Sequence, residues 1–140
     1  MKGVAMVARL ESHTAFAKLQ LFQSARFEKG MHSIFVQFVD NKSFLSFSTI
    51  VYRGDNFIPL SVRKAAQLPL GEPSKDIHPW IAVNEELFQI HLHCKVPSKH
   101  MDKDHFHETV SQFDDTAQKW RELFKEREKH DLIYVPSTKS

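Results

Sequence analysis

An alternating strand at Leu87 to Val96 runs into a long amphipathic helix, and this pair of segments constrains the fold more than any other part of the chain. Along the helix Phe106, Val110, Phe113, Ala117, Trp120 and Phe124 follow one another at spacings of four and three, which stacks them on one side. Lys103, Glu108, Asp114, Asp115, Lys119, Arg121 and Glu122 fall elsewhere around it. A seam of this kind is a docking surface, and the strand before it supplies a sheet to dock on. Asp102 or Asp104 is placed to cap the free amides of the first turn. Running to about Lys129, the helix is expected to span about 40 Å at roughly 1.5 Å per residue. A ten-residue strand reaches only about 33 Å, so the C-terminal end of the helix is expected to overhang the sheet.

Upstream, Ile34 to Val39 is a dense β-type run, Asp40-Asn41-Lys42-Ser43 is a polar turn, and Phe44 to Tyr52 resumes as strand. Residues 32–52 therefore read as a hairpin. In its second arm Leu45, Phe47, Thr49 and Val51 point one way and Phe44, Ser46, Ser48, Ile50 and Tyr52 the other, the pattern of a sheet with one strongly apolar face. Residues 53–79 hold Pro59, Pro69, Pro73 and Pro79 with Gly54 and Gly71; they read as an irregular connection in which only Ser61 to Gln67 suits a short helix. The Arg53-Gly54-Asp55 triplet is explained by turn chemistry. Trp80 to Val83, a tight turn at Asn84-Glu85-Glu86 and the strand to Val96 form a second hairpin, ended by Pro97. Residues 13–27 fit a helix face and a strand alternation equally well: a helix there is expected to cover the second sheet face, a strand to widen the sheet. Residues 131–140 read as a docking strand or a frayed tail. The expectation is a single α+β domain over residues 1–140, an antiparallel sheet of about five strands covered by the long C-terminal helix.

The sequence has 140 residues, 41% of them hydrophobic and 26% charged, enough for one globular domain with its own core. Twelve phenylalanines against two tyrosines and two tryptophans put an unusual load of purely apolar rings into that core. Phe35, Phe38, Phe44 and Phe47 occupy both faces of one hairpin, yet one helix covers one face. Either residues 10–26 supply a second cover or a partner does. A single cysteine, Cys94, excludes an intramolecular disulfide framework and fits a reducing compartment, the cytoplasm by default. Met1 to Arg9 lacks a signal-peptide pattern, and no apolar run approaches the roughly 18–20 residues that cross a bilayer. The Lys and Arg residues of the first 79 positions are widely spaced, too thin for a surface that neutralises many phosphates, so nucleic acid is not expected as a partner.

Candidate chemistry is confined to the histidines. His91 and His93 share a strand face, and His100, His105 and His107 follow at the strand–helix junction. A zinc site would draw on these, but helical residues two apart diverge, as His105 and His107 do. Cys94 lies on the other strand face among Phe88, Ile90, Leu92 and Val96 and reads as a small core residue. There is no nucleophile elbow and no glycine-rich phosphate loop, and Asp114 and Asp115 diverge on a solvated helix face. No catalytic residue, metal or cofactor is therefore assigned.

The order of elements, with Trp80 to Val83, the acidic turn Asn84-Glu85-Glu86, the strand Leu87 to Pro97 and the helix positions Phe106, Val110, Phe113 and Trp120, resembles the class I type III secretion chaperone fold shared with the YbjN-like proteins. The resemblance implies a binding protein without enzymatic activity or cofactor, which holds an unfolded segment of a secreted effector. It implies that an N-terminal helix and a twisted sheet bear the partner surface, and that the later strands and second helix join two copies into a homodimer. It also implies that Phe35, Phe38, Phe44 and Phe47 hold the partner chain. Three other readings stand beside it. One is a carrier of a small apolar ligand, with a cavity between sheet and C-terminal helix and His91 or His93 at its mouth. Another is a metal-dependent enzyme built on His91, His93 and one of His100, His105 or His107. A nucleic-acid binder comes last.

Overall fold

The computed structural model describes residues 13–29, 32–68 and 77–134. Helix α1 occupies residues 13–22 and is followed by strands β1 (Ser24–Lys29), β2 (His32–Val39) and β3 (Phe44–Arg53). Then come α2 (Leu60–Ala65), β4 (Trp80–Asn84), β5 (Gln89–Pro97) and α3 (Lys103–Tyr134). The strands form one antiparallel sheet in the order β1-β2-β3-β5-β4, the α+β architecture expected.

The ambiguous stretch resolves into both alternatives in succession. Residues 13–22 are helical and the chain turns into β1 at Gln23, whose φ of 65° places it in the left-handed region that ends many helices. The Gln23 amide donates to the Leu19 carbonyl at 2.7 Å, and the Phe38 amide donates to the Gln23 carbonyl at 3.0 Å, pinning α1 to the sheet at this corner. The expectation that a helix here would cover the second sheet face is corrected. The α1 ring of Phe16 packs 5.2 Å from Phe106 of α3, so both helices lie on the same face.

That face is the core. Ile34, Val36, Leu45, Phe47, Leu92 and Cys94 point into it from three central strands, and the α3 seam from Phe106 to Phe124 closes it. Phe47 sits between Phe106 and Phe113, each 5.8 Å away centroid to centroid. Asp102 is the cap of α3: its Oδ1 accepts from the His105 amide at 2.7 Å. The helix then runs past Lys129 to Tyr134, so residues 131–134 continue it and only residues 135–140 of the expected tail lie outside the described residues. At 32 residues it spans about 48 Å against about 34 Å for β3, and it overhangs the sheet as its length requires.

Two local features depart from simple alternation. In the turn between β2 and β3, Asp40, Asn41 and Lys42 all adopt positive φ, at 53°, 56° and 68°. Asp and Asn tolerate this conformation. Lys42 is held in it by Ser98, whose hydroxyl donates to the Lys42 carbonyl and whose amide donates to the Ser43 carbonyl at 3.0 Å. In β3 a bulge between Ile50 and Tyr52 shifts the register against β5, so Tyr52 pairs with Ile90 and turns into the core, against the outward direction expected from alternation.

Beside the bulge, Arg121 of α3 donates to the Ile50 carbonyl from Nε at 3.2 Å and from Nη2 at 3.0 Å. Arg121 Nη2 donates in addition to Thr49 Oγ1 at 2.9 Å, and Thr49 Oγ1 donates to the Ser33 carbonyl at 2.7 Å. Asp114 faces the guanidinium at 4.0 Å, with the two side chains 14% and 10% exposed. One polar line thus ties α3 to β3 and β2 inside an otherwise apolar layer.

Gly54 ends β3 where the chain folds back on itself. Its amide donates to the Phe88 carbonyl at 2.7 Å, and a Cβ placed there would lie 2.3 Å from the Phe57 carbonyl oxygen, a backbone atom that cannot swing aside. Gly54→Ala is expected to cost about 1–3 kcal/mol, the usual range for overpacking, read as a lower urea midpoint with unchanged slope.

Candidate partner-binding surface

The opposite face of the sheet is covered by no element among the described residues. Register fixes what it presents: Phe35 opposite Ser48, Ser48 opposite His93, and His93 opposite Trp80, with His91 between Ile50 and Ala82. Phe35 is 39% exposed and Trp80 48%. On this surface Trp80 stacks on His93 with ring centroids 5.5 Å apart and planes at 17°, and His93 stacks on His91 at 6.0 Å and 14°. The indole and two imidazoles form a ladder across β4 and β5. Beside it a shallow groove of about 540 Å³ runs along Ala82–Glu86, His91 and His93. Burial, and then the Arg53 guanidinium, hold His91 below the ordinary imidazole range; burial, and then His91, do the same to His93.

The charges around the ladder are largely paired off. Arg63 of α2 makes a bidentate pair with Glu85 at 2.7 Å for both bonds, tying α2 to the β4–β5 turn. Lys95 pairs with Asp40 and lies 4.7 Å over the Phe44 ring. The turn itself is longer than the three residues expected: Asn84 Oδ1 accepts from the Glu86 and Leu87 amides at 3.1 Å each, and Phe88 closes it at a φ of 56°.

The second part of the surface is the outer edge of β1, which among the described residues pairs only with β2. Where α1 runs into it, Leu21 and Phe22 are 77% and 71% exposed, a large apolar step beside strand backbone that no described strand pairs on its outer side. Reading residues 13–27 without a settled helix hid this step; the adjacent pair of bulky apolar residues just before the Gln23 turn was its only signal.

The four phenylalanines expected to hold a partner fall on different faces. Phe35 and Phe44 are on the open face, Phe44 with its ring under Lys95. Phe47 is wholly buried beneath α3, and Phe38 is half-buried against the same core. The alternation of the strands put Phe44 and Phe47 on opposite sides from the start.

The rival sites are not assembled. His91 and His93 face away from α3, while His105 and His107 lie on its first turns and His107 meets His13 at 6.2 Å, so the strand–helix histidines do not converge. Among the described residues there is no group of three or more His, Cys, Asp and Glu side chains placed to hold a metal ion. Cys94 is buried, its thiol pushed up to about 12 by burial. The space between sheet and α3 is filled by Phe47, Phe106 and Phe113; a cleft of about 410 Å³ lies at one end, between Ile50–Arg53 and Gln118–Glu128, with Arg53, Glu122, Lys125 and Glu128 along it. Among the described residues no helix is long and apolar enough to cross a membrane.

Among solved structures, the chain superposes on a chain of the ExsC–ExsE complex with a TM-score of 0.56 and 14% identity, over 86% of this chain and 95% of that one. It is similar to a chain of the HopA1–SchA chaperone–effector complex, with a TM-score of 0.53 and 12% identity over 83% and 97% of the two chains. It is similar also to a chain of the heterodimeric ExoU–SpcU complex from the type III secretion system of Pseudomonas aeruginosa, with a TM-score of 0.51 and 11% identity over 81% and 95%. The chain therefore has a class I type III secretion chaperone-like fold. No protein-family model and no curated protein sequence matches it.

Proposed function

We propose that this chain is a non-enzymatic binding protein that holds an extended segment of a partner protein, such as a secreted effector, and that it works as a homodimer in the cytoplasm. The observation that carries the reading is the apolar step of Leu21 and Phe22 beside the outer β1 edge. An extended chain laid along β1 gains main-chain hydrogen bonds from the strand and side-chain burial from the step, the two ingredients of strand addition. The structures that share the fold include the HopA1–SchA chaperone–effector complex, which supports a protein as the ligand class.

In this reading the open face is the self-association surface. Trp80, His93, Ile50 and Phe35 form a half-apolar patch whose charges are mostly paired within the chain, and α2 borders it through Arg63. Phe35 and Phe44 keep a role in protein contact there, while Phe38 and Phe47 support the sheet from beneath.

A displayed library of unstructured peptides panned on the purified chain tests the reading. Peptides with extended apolar stretches are expected to be enriched, and Leu21→Asp/Phe22→Asp to weaken them by about tenfold or more, the equivalent of roughly 1.4 kcal/mol of lost burial. Failure to enrich any peptide, or binding indifferent to the double substitution, contradicts it.

A further inference from the structure

The Trp80–His93–His91 ladder puts two titratable groups at the centre of the sheet face that no element covers among the described residues. His91 pairs laterally with Ile50 and Ala82, and His93 with Ser48 and Trp80, so each imidazole is flanked by neutral neighbours on both adjacent strands. We propose that this ladder makes self-association pH-dependent: two copies join across it while both imidazoles are neutral and separate when His91 and His93 take up protons. The inference rests on the self-association proposed above.

A two-fold contact presents a patch to its own copy, so every unpaired charge near the axis meets its like. This patch meets that requirement at neutral pH. From α2, Arg63 is held by Glu85 of the turn; on β5 itself, Lys95 is held by Asp40. Arg53 at the end of β3 and Glu86 in the turn have no ion-pair partner among the described residues, but they are of opposite sign and lie at the same end of the ladder, where Arg53 is paired in register with Gln89. The centre is left to the indole and two uncharged imidazoles.

Protonation removes that neutrality: among the described residues no carboxylate forms an ion pair with either ring, although Glu85, held by Arg63, and Glu86 line the same groove. His91 Nε2 lies 3.1 Å from the Gln89 amide oxygen, a neutral acceptor, and the nearest register partners carry no carboxylate. Joining two copies would bring four imidazolium groups into one dewatered contact. Burial already holds both histidines below the usual imidazole value, and a covering copy removes more water and lowers them further. The separated chain then binds more protons than the joined pair, so association is strongest where the separated chain's two imidazoles are neutral and weakens as pH falls through their values, which lie below the ordinary imidazole value of about 6.5.

Sedimentation equilibrium of the full chain at about pH 7.5 and about pH 5.5 tests this, with far-UV circular dichroism confirming the fold at both. The dissociation constant of the unmodified chain is expected to rise by about tenfold or more on acidification, and that of His91→Gln/His93→Gln by less than about twofold. A dimer whose constant does not move with pH overturns the switch and leaves self-association standing. A chain that is monomeric at both pH values overturns self-association and the switch with it. A double variant with the full acid response also overturns the switch, placing the titrating group elsewhere. If the double variant no longer associates at neutral pH, tryptophan emission of the unmodified chain decides: an imidazolium stacked on Trp80 quenches it, so a quench must share its midpoint with dissociation, and a quench that is absent or displaced overturns the switch.

Discussion

Phe47→Ala is expected to remove about 3–5 kcal/mol of stability, the range for emptying a large buried ring site. The ring is wholly buried, touches Phe106 and Phe113 of α3 at 5.8 Å each, and stands in register between Val36 and Cys94, so no neighbour is free to collapse into the space. Phe35→Ala, one strand away on the open face at 39% exposure, is expected to cost less than about 1 kcal/mol. Urea unfolding of the two variants reads the difference. Equal costs would mean that the two faces of the β2–β3 hairpin are wrongly assigned. A cost below about 1 kcal/mol for Phe47 would mean that α3 does not close the core where described.

Arg121→Met is expected to cost a similar amount, about 3–5 kcal/mol, for a different reason. The substitution keeps most of the apolar stem but withdraws the donors that satisfy the Ile50 carbonyl and Thr49 Oγ1, and it removes the cation facing Asp114. With the two side chains only 10% and 14% exposed, water does not replace those partners fully. The thermal midpoint is expected to fall by roughly 10 °C or more. Adding Asp114→Asn is expected to return part of the loss, because the variant no longer buries a carboxylate without its guanidinium. If Arg121→Met is nearly neutral, the bulge is satisfied by other means and the polar line across α3, β3 and β2 does not hold the layers together.

The parts of the fold legible in the sequence are those with a regular period and a single partner. The four-and-three spacing from Phe106 to Phe124 located the seam of α3, and the alternation at Leu45, Phe47 and Thr49 located the core face of β3. What was not legible depends on pairing or on tertiary choice. Residues 13–22 contain Ala15, Ala17, Leu19 and Leu21 beside Phe16 and Phe22, compatible with either period; contact between Phe16 and Phe106 settles helix and face together. Tyr52 turns inward because a bulge adds one residue to β3, and nothing in the local alternation announces it.

The candidate surface was half legible for the same reason. His91 and His93 were visible as a pair on one strand face, and Phe44 as outward. Their alignment with Trp80 required the register of β4 on β5, and that register is set by the turn. A three-residue turn over 84–86 would set Val83 opposite Leu87 and carry Trp80 opposite Ile90; the longer Glu85–Phe88 turn sets Trp80 opposite His93. The odd shift moves the indole from the core-facing row to the imidazole row. Leu21 and Phe22 stand out as a candidate binding feature only with β1 at the edge of the sheet among the described residues.

Amide hydrogen exchange, compared between the free chain and the chain saturated with a selected peptide, reads strand addition at β1 residue by residue. New protection is expected across β1, Ser24–Lys29, and in the last turn of α1 around Leu21 and Phe22, with α3 unchanged at its buried seam. Protection that appears instead around Ile50–Arg53 and Gln118–Glu128, with β1 exchanging as before, would contradict strand addition and assign the ligand to the cleft at the end of α3.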